Sequence, residues 1–515
     1  MTSFGSSVGV VSSICIALGA LYLSKRIRTR HMRKLPPGPQ RTFILGNIAQ
    51  MPKEKEWLTY QKWAEEYGDV VYLELLGQSI IVVDSLEAAT DLLEGRGAIY
   101  SGRPRLPMAG DLTGYTQAVA LATYGSRFRE LRKSMQRELS VNMVQRYQAV
   151  YQDGSRELAL GAIRASDMLR ELVVSARQFA GFTIMKSTYG YTTAPKDDKW
   201  LLAAEDVMTS FSSAATPGRW MVDIFPALMH LPEWLPGMGF KRTARKWRQM
   251  NDNVVKEPYF WAKNNQGSDS GQSLNFVSSV LSQSREDLTN EEEDIAIWAA
   301  GSIFGGGADT TVSAILTFLL AMALSPESQR RGQEEIDAVI GCERLANIAD
   351  RSNTPFVDAI MKETLRWHPV APLAIPHLLT QDDEYRGWTF TSGSLVVVNV
   401  WSILHNKDIF PDPESFDPGR FLTGATAEKA IKTVKYAFGF GRRSCPGIHY
   451  AEASLYVAIA TILATCDISD PRDDSGRPIV GDYEWSSGTI SHPRPYTVKI
   501  RPRSESALSL LERGA

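Results

Sequence analysis

Apolar and polar residues recur with a helical period over most of this chain and with a strand period in only a few short runs. The first such run is "DVVYLELLGQSIIVVDS" (Asp69–Ser85), two β-prone stretches around Gly77-Gln78, which predicts a hairpin. The longest helical segment is "LTNEEEDIAIWAAGSIFGGGADTTVSAILTFLLAMALSPE". Thr289 and Glu292 have capping-box spacing, acidic residues fill the first turn, and Pro326 closes the segment. Its middle is apolar on nearly every face, which predicts a helix buried through the centre of a large domain. "PFVDAIMKETLRWHP" predicts a second helix, ended by Pro369. "PGIHYAEASLYVAIATILATC" predicts a third, directly after Cys445 and with Pro446 at its first position. Between these two lies a region rich in Pro, Gly and β-branched residues (Leu373–Leu422), with short strands such as "SLVVVNV". No Gly/Ser linker interrupts residues 40–515, and no repeat of 20–50 residues is apparent. The pattern predicts one large, mainly α-helical domain with small β-sheets.

The N-terminus changes this picture. Residues 1–24 form an uncharged, apolar run, followed closely by Lys25, Arg26, Arg28, Arg30, Arg33 and Lys34. A secretory signal has its basic residues before the apolar run, the reverse of this order. Basic residues that follow the run stay on the cytoplasmic side, so residues 1–24 are expected to be a membrane anchor with a cytosolic body behind it. The run is close to the lower limit of about 17–25 residues for a spanning helix, which leaves a loosely inserted segment as the other reading. Residues 25–40 then form a basic stop and a stiff proline-rich hinge, "KLPPGPQ", leaving 41–515 as the catalytic body.

Composition adds exclusions. A net charge of −2 gives no global field to recruit nucleic acid. The four cysteines (Cys15, Cys342, Cys445, Cys466) include no C-x-x-C pair, which argues against a disulfide framework or a zinc site and fits a reducing compartment.

Cys445 stands apart, because "FGFGRRSCPG" surrounds it with three glycines, two aromatic residues and two arginines. It has three readings: a buried core thiol, a nucleophile, or a thiolate ligand to a metal. A helix beginning just after it would aim N–H groups at the sulfur, and Arg442 and Arg443 add positive charge, which favours thiolate. A nucleophile needs a histidine base, and His449 lies one turn along, yet no protease-like signature surrounds it. A lone thiolate backed by glycines suits a flat, bulky cofactor, and cysteine-ligated haem is the candidate.

The stretch resembles the haem-ligand signature of the cytochrome P450 family, F-x-x-G-x-R-x-C-x-G, here Phe438, Gly441, Arg443, Cys445 and Gly447. Five such fixed positions coincide by chance on the order of once in ten thousand chains. "KETLRWHP" supplies the family's E-x-x-R as Glu363 and Arg366, and "FDPGRFL" its F-x-P-x-R-F, with Arg420. "GGADTT" matches its long-helix motif, and the resemblance covers residues 35 to about 503. The layout and the "PPGP" hinge resemble the membrane-bound, fungal type.

The resemblance implies a haem b (iron protoporphyrin IX) with Cys445 as axial ligand to the iron, and a buried structural triad of Glu363, Arg366 and Arg420 that holds the cysteine loop. It implies that Thr310 and Asp309 deliver protons for oxygen activation. The three glycines before them, Gly305 to Gly307, read either as close helix packing or as an opening beside a ligand. Arg443, His377 and Arg132 are implied propionate contacts, although Phe128 stands where the family usually carries tryptophan. The implied substrate pocket draws on Ser302, Ile303, Gly306, Ala371, Leu373, Thr489 and Ile490.

The expected partner is NADPH–cytochrome P450 reductase, steered to a cationic cluster of Arg129, Arg132, Lys133, Lys432, Lys435 and Arg442. The apolar segment Trp220–Phe240 is expected either in the core or at the membrane interface. The resulting expectation is a single-pass enzyme of the endoplasmic reticulum membrane with a cytosolic catalytic domain. It would use O2 and NADPH-derived electrons to hydroxylate or epoxidise a hydrophobic small molecule, first a terpenoid or polyketide intermediate of secondary metabolism. An indole or alkaloid, or a fatty acid reaching Arg103 or Arg105, is the alternative substrate. A reductase-independent haem-thiolate isomerase and a non-catalytic haem- or lipid-binding membrane protein are the rival functions; the Asp309–Thr310 pair argues against both.

Overall fold

The structure, a computed structural model, describes residues 34–216, 219–266, 275–283, 288–480 and 483–513. The expected anchor and most of the basic stop lie outside the described residues. Ten helices of twelve residues or more occur among the described residues. They are α1 (Glu56–Tyr67), α2 (Ser126–Glu138), α3 (Gln148–Arg164), α4 (Leu169–Tyr189), α5 (Lys199–Ala215), α6 (Phe240–Asn264), α7 (Asn290–Leu324), α8 (Pro326–Val339), α9 (Pro355–Trp367) and α10 (Ile448–Thr465).

The long helix α7 forms where its capping signals predict. Thr289 Oγ1 accepts the Glu292 N–H, and Glu292 Oε2 accepts the Thr289 N–H at 2.9 Å. The helix ends at Leu324, and Pro326 opens α8 at a position where no N–H is needed. By length and apolarity both α7 and α10 could cross a membrane, yet about two thirds or more of each apolar window is buried in the molecule. They are core helices. α7 runs through the centre, packed against α2, α4, α6, α9 and α10.

Strands are few. β1 (Val70–Leu75) and β2 (Gln78–Val83) form the predicted hairpin, but Leu75 pairs with Gln78, so the turn residues are Leu76 and Gly77. Both have positive φ (48° and 90°), as a two-residue hairpin loop of matching twist requires, which moves the turn one residue ahead of the predicted Gly77-Gln78. The Pro/Gly-rich region gives β3 (His377–Leu378), β4 (Asp383–Tyr385), β5 (Trp388–Phe390) and β6 (Leu395–Val398). β6 joins β2 in parallel and β3 antiparallel, giving a four-stranded sheet in the order β1-β2-β6-β3. β7 (Cys466–Asp473) and β8 (Tyr496–Pro502) form a separate antiparallel pair.

The triad is buried as the resemblance implies. Glu363 accepts from Arg366 Nε at 2.6 Å and Nη2 at 2.9 Å, and from Arg420 Nε at 3.0 Å. The spare donors reach backbone: Arg366 donates to the carbonyls of Leu404, Pro413 and Ser415, and Arg420 to those of Pro411, Asp412 and Ser415. The triad therefore braces the stretch 404–415 directly, and its hydrogen bonds do not include the cysteine loop.

Candidate active site

The cysteine loop is built by two backbone constraints. The Cys445 N–H donates to the Phe438 carbonyl at 2.7 Å, and Gly439 (φ 81°) and Gly441 (φ 51°) turn the chain back. A Cβ on Gly441 would stand 2.2 Å from the Leu93 carbonyl oxygen, so close approach to that backbone by itself requires glycine. The helix behind the loop starts later than predicted: α10 begins at Ile448 with Gly447 as its N-cap. Pro446 and Gly447 form a turn instead, so Pro446 precedes the cap and is not the first helical residue.

The sulfur's electrostatics also differ from the sequence expectation. Burial pushes the Cys445 thiol pKa up, and this outweighs the Gly447 N–H and the Arg132 guanidinium, which both favour thiolate. Arg132, and not Arg442, is the arginine whose charge acts on the sulfur, and the exposed Arg442 donates to the Tyr124 hydroxyl at 2.6 Å. The Cys445 side chain keeps accessible surface. A coordinating metal deprotonates a thiol outright, so the upward shift is compatible with ligation.

Four basic side chains meet beside this loop with no carboxylate paired to them among the described residues. Arg443 stacks over the Phe128 ring at 3.9 Å and donates to the carbonyls of Ser101 (2.9 Å), Val119 (3.2 Å) and Ala122 (2.7 Å). Arg103 donates to the carbonyls of Ala120 (2.9 Å), Ile375 (2.7 Å) and Pro376 (2.9 Å). His377 shares a 2.7 Å hydrogen bond between Nδ1 and the Tyr100 carbonyl, and Arg132 donates to the Ser444 carbonyl. Burial lowers Arg103 to about 9 and Arg443 to about 10, each helped by a neighbouring arginine. Burial, with Arg103 next in weight, lowers His377 to about 3. Buried cations left without countercharge are costly, so this cluster fits a ligand that carries carboxylates. The sequence offered Arg103, with Arg105, only as a cation for the alternative fatty-acid substrate, and only the fold shows that it faces the 375–376 backbone.

Across α7 the three glycines divide between the two readings. A Cβ on Gly307 would lie 2.8 Å from Ile184, as one on Gly301 would from Val255, so these are packing glycines. A Cβ on Gly305 or Gly306 would meet nothing within 4 Å. The helix is buried on either side, yet accessible at this point. Thr310 Oγ1 donates to the Gly306 carbonyl at 2.7 Å, and both Asp309 oxygens lie 3.3 Å from His492 Nε2. His492 belongs to no motif read from the sequence.

Hydrogen bonds tie Ser302 and the chain neighbours of Ala371 and Ile490 to other segments. The Val119 N–H donates to Ser302 Oγ at 3.2 Å, and the Ser491 N–H, next to Ile490 and Thr489, donates to the Val370 carbonyl at 2.9 Å, next to Ala371. Ile303 is buried, Gly306 open, and Leu373 packs towards the β-sheet cluster around Tyr60 and Val71. Of the expected docking cations, Arg129, Lys133, Lys432, Lys435 and Arg442 are exposed, whereas Arg132 is turned inward.

A cysteine that keeps accessible surface, an open stretch of helix built from two glycines, and a cluster of arginines and a histidine with no carboxylate partner among the described residues fit a thiolate-ligated haem with its propionates among Arg103, Arg132, Arg443 and His377. Residues 36–500 match the family Cytochrome P450. The chain is 41% identical to cytochrome P450 monooxygenase 105 of Postia placenta, covering 96% of this chain and 94% of that relative. It is 36% identical to cytochrome P450 monooxygenase claR of Ampulloclitocybe clavipes (98% and 93%) and 34% identical to cytochrome P450 monooxygenase COX1 of Coprinopsis cinerea (100% of both). The chain belongs to the cytochrome P450 family and is a monooxygenase.

Proposed function

We propose that this monooxygenase inserts one oxygen atom into a C–H or C=C bond of a neutral, hydrophobic small molecule, with a terpenoid or polyketide as the first candidate. The observation that carries the reading is the acid–alcohol pair Asp309–Thr310 beside the open Gly305–Gly306 stretch of a buried helix. A haem held by Cys445 supplies the oxygen-activating iron. Thr310 keeps its own proton on the Gly306 carbonyl, which leaves its oxygen free to accept from a pocket water. Asp309, only partly buried, exchanges protons with solvent and feeds that relay.

Neutrality of the substrate is supported by the two cations that a fatty acid would use. Arg105 is paired with Asp111 at 2.7 Å, and Arg103 is committed to three backbone carbonyls. An indole or alkaloid remains the alternative. The acid–alcohol pair disfavours an isomerase that needs no proton supply.

Electrons are proposed to come from NADPH through a reductase docked on the exposed Arg129, Lys133, Lys432, Lys435 and Arg442. Attachment to the endoplasmic reticulum membrane is proposed through residues 1–24 and through the Trp220–Phe240 segment. That segment contains two short helices, Met221–Ile224 and Pro226–His230, and buries Val222 and Met238 while exposing Met221, Phe225, Leu231 and Trp234. It borders an open cleft of about 1090 Å³ that includes Trp220, Trp234, Phe240, Arg219 and Arg242. Amphipathic aromatic and cationic linings of this kind suit the headgroup boundary. Reconstitution with NADPH, a reductase and a panel of sesquiterpene, diterpene, tryptamine and long-chain fatty acid under ¹⁸O2 tests the reading. One ¹⁸O atom in a terpenoid product is expected; turnover of the fatty acid alone would overturn the substrate class.

A further inference from the structure

Asp309 has a partner far away in the chain. His492 stands 183 residues later, on the segment leading into β8, with Nε2 3.3 Å from both carboxylate oxygens. The ring is held in place by its backbone: the His492 N–H donates to Ser486 Oγ at 2.9 Å, and its carbonyl accepts the Ser486 N–H at 2.8 Å. The preceding residue is fixed as well, with the Ser491 carbonyl accepting from Ser313 Oγ and its hydroxyl 2.8 Å from His368 Nε2. Asp309 and Ser313 are four residues apart, hence on one face of α7. That face takes two successive residues of the segment, Ser313 the Ser491 carbonyl and Asp309 the His492 ring. The side chains of His492 and Asp309 keep 28% and 29% of their surface accessible, enough for exchange with water.

The other ionisable groups around this ring are accounted for. His368, at the end of α9, is buried and held neutral well below the ordinary histidine range. Lys55 pairs with Glu484 (3.9 Å), and Arg494 with Glu54 (3.6 Å) and Glu484 (4.0 Å). Asp309 is the carboxylate within ion-pair reach of His492 among the described residues. We propose that His492 is a positioning residue for Asp309: its ring N–H holds the carboxylate on the C-terminal segment and so sets where the acid stands relative to Thr310.

This inference rests on the relay reading of Asp309 and Thr310, and the test separates the two. Thermal unfolding of the haem-loaded protein, followed through the haem absorption, is measured for wild type, His492→Leu, Asp309→Asn and the double variant. The double variant is expected to lose less than the two single losses together. In parallel, peroxide released per NADPH is measured for the reconstituted holoenzyme, with His492→Gln, whose amide can still donate to the carboxylate, as the conservative variant. His492→Leu is expected to raise that peroxide share about two- to fivefold, the range for a partly exposed pair, and His492→Gln to bring it back towards wild type. An unchanged peroxide share in His492→Leu, or additive unfolding, would overturn the proposal. Failure of the relay reading itself shows differently, as turnover unchanged in Thr310→Ala whatever the unfolding cycle gives.

Discussion

Replacing Glu363 with glutamine removes a single charge from the most deeply buried ionic cluster described above. Glu363 Oε1 accepts from Arg366 Nη2, Arg420 Nε and the Asp417 N–H, and Oε2 accepts from Arg366 Nε. With its amide oxygen at the Oε1 position, a glutamine keeps three of these bonds. Its NH2 then faces the Arg366 Nε–H, donor against donor across a gap that is 2.6 Å in the native pair. The two arginines, at 0% and 5% side-chain exposure, lose their only countercharge within the triad. Breaking one partner of a buried pair costs about 3–5 kcal/mol, a large fraction of a total of about 5–15 kcal/mol. At about 2.1 cal/mol/K per residue, the unfolding entropy of a chain of 515 residues is near 1 kcal/mol/K, so the apparent Tm should fall by roughly 3–5 °C. The assay is thermal loss of the haem absorption. If uncompensated charge is the cause, Arg420→Met should cost less in the Glu363→Gln background than in wild type. A Tm within about 1 °C of wild type, or strict additivity of the two substitutions, would refute the reasoning.

Thr310→Ala is expected to leave haem content near normal while product per NADPH falls and peroxide rises, within the about 10²–10⁴-fold range of a lost proton-transfer group; unchanged coupling would assign the delivery elsewhere. Stability should also fall with acid. Burial holds His368 and His405 neutral in the folded state, with His405 also facing Arg366, so the unfolded chain binds more protons below about pH 6.5. Each imidazole then removes up to about 1.4 kcal/mol per pH unit. The Tm should drop between pH 7.5 and 5.5, with a shallower slope in His368→Gln; a flat profile in wild type would contradict the assignment.

Much of the fold and the motif set was legible because each feature is local. The capping box at Thr289 and Glu292 spans four residues, the E-x-x-R pair one helical turn, and the hairpin a single turn. Features that depend on distant chain segments were not legible. Nothing near Arg103 announces that its guanidinium meets carbonyls 272 and 273 residues away, and nothing near Asp309 points to His492. The balance of effects on Cys445 was only partly legible for a related reason. Helix dipole and flanking arginines are sequence features, whereas the burial that dominates the thiol arises only from the folded surroundings of the loop. Leu373, expected in the pocket, lies within the Ala371–Ala374 turn and packs towards the sheet.

The central claim is that Cys445, alone among the cysteines, holds the iron of a haem as a thiolate. Its most direct test is the carbon monoxide difference spectrum of the reduced protein with each cysteine replaced by serine in turn. Wild type, Cys342→Ser and Cys466→Ser should show the strongly red-shifted band of thiolate-ligated haem, and Cys445→Ser should lack it. Persistence of that band in Cys445→Ser, or its loss in either of the other two variants, would contradict the account.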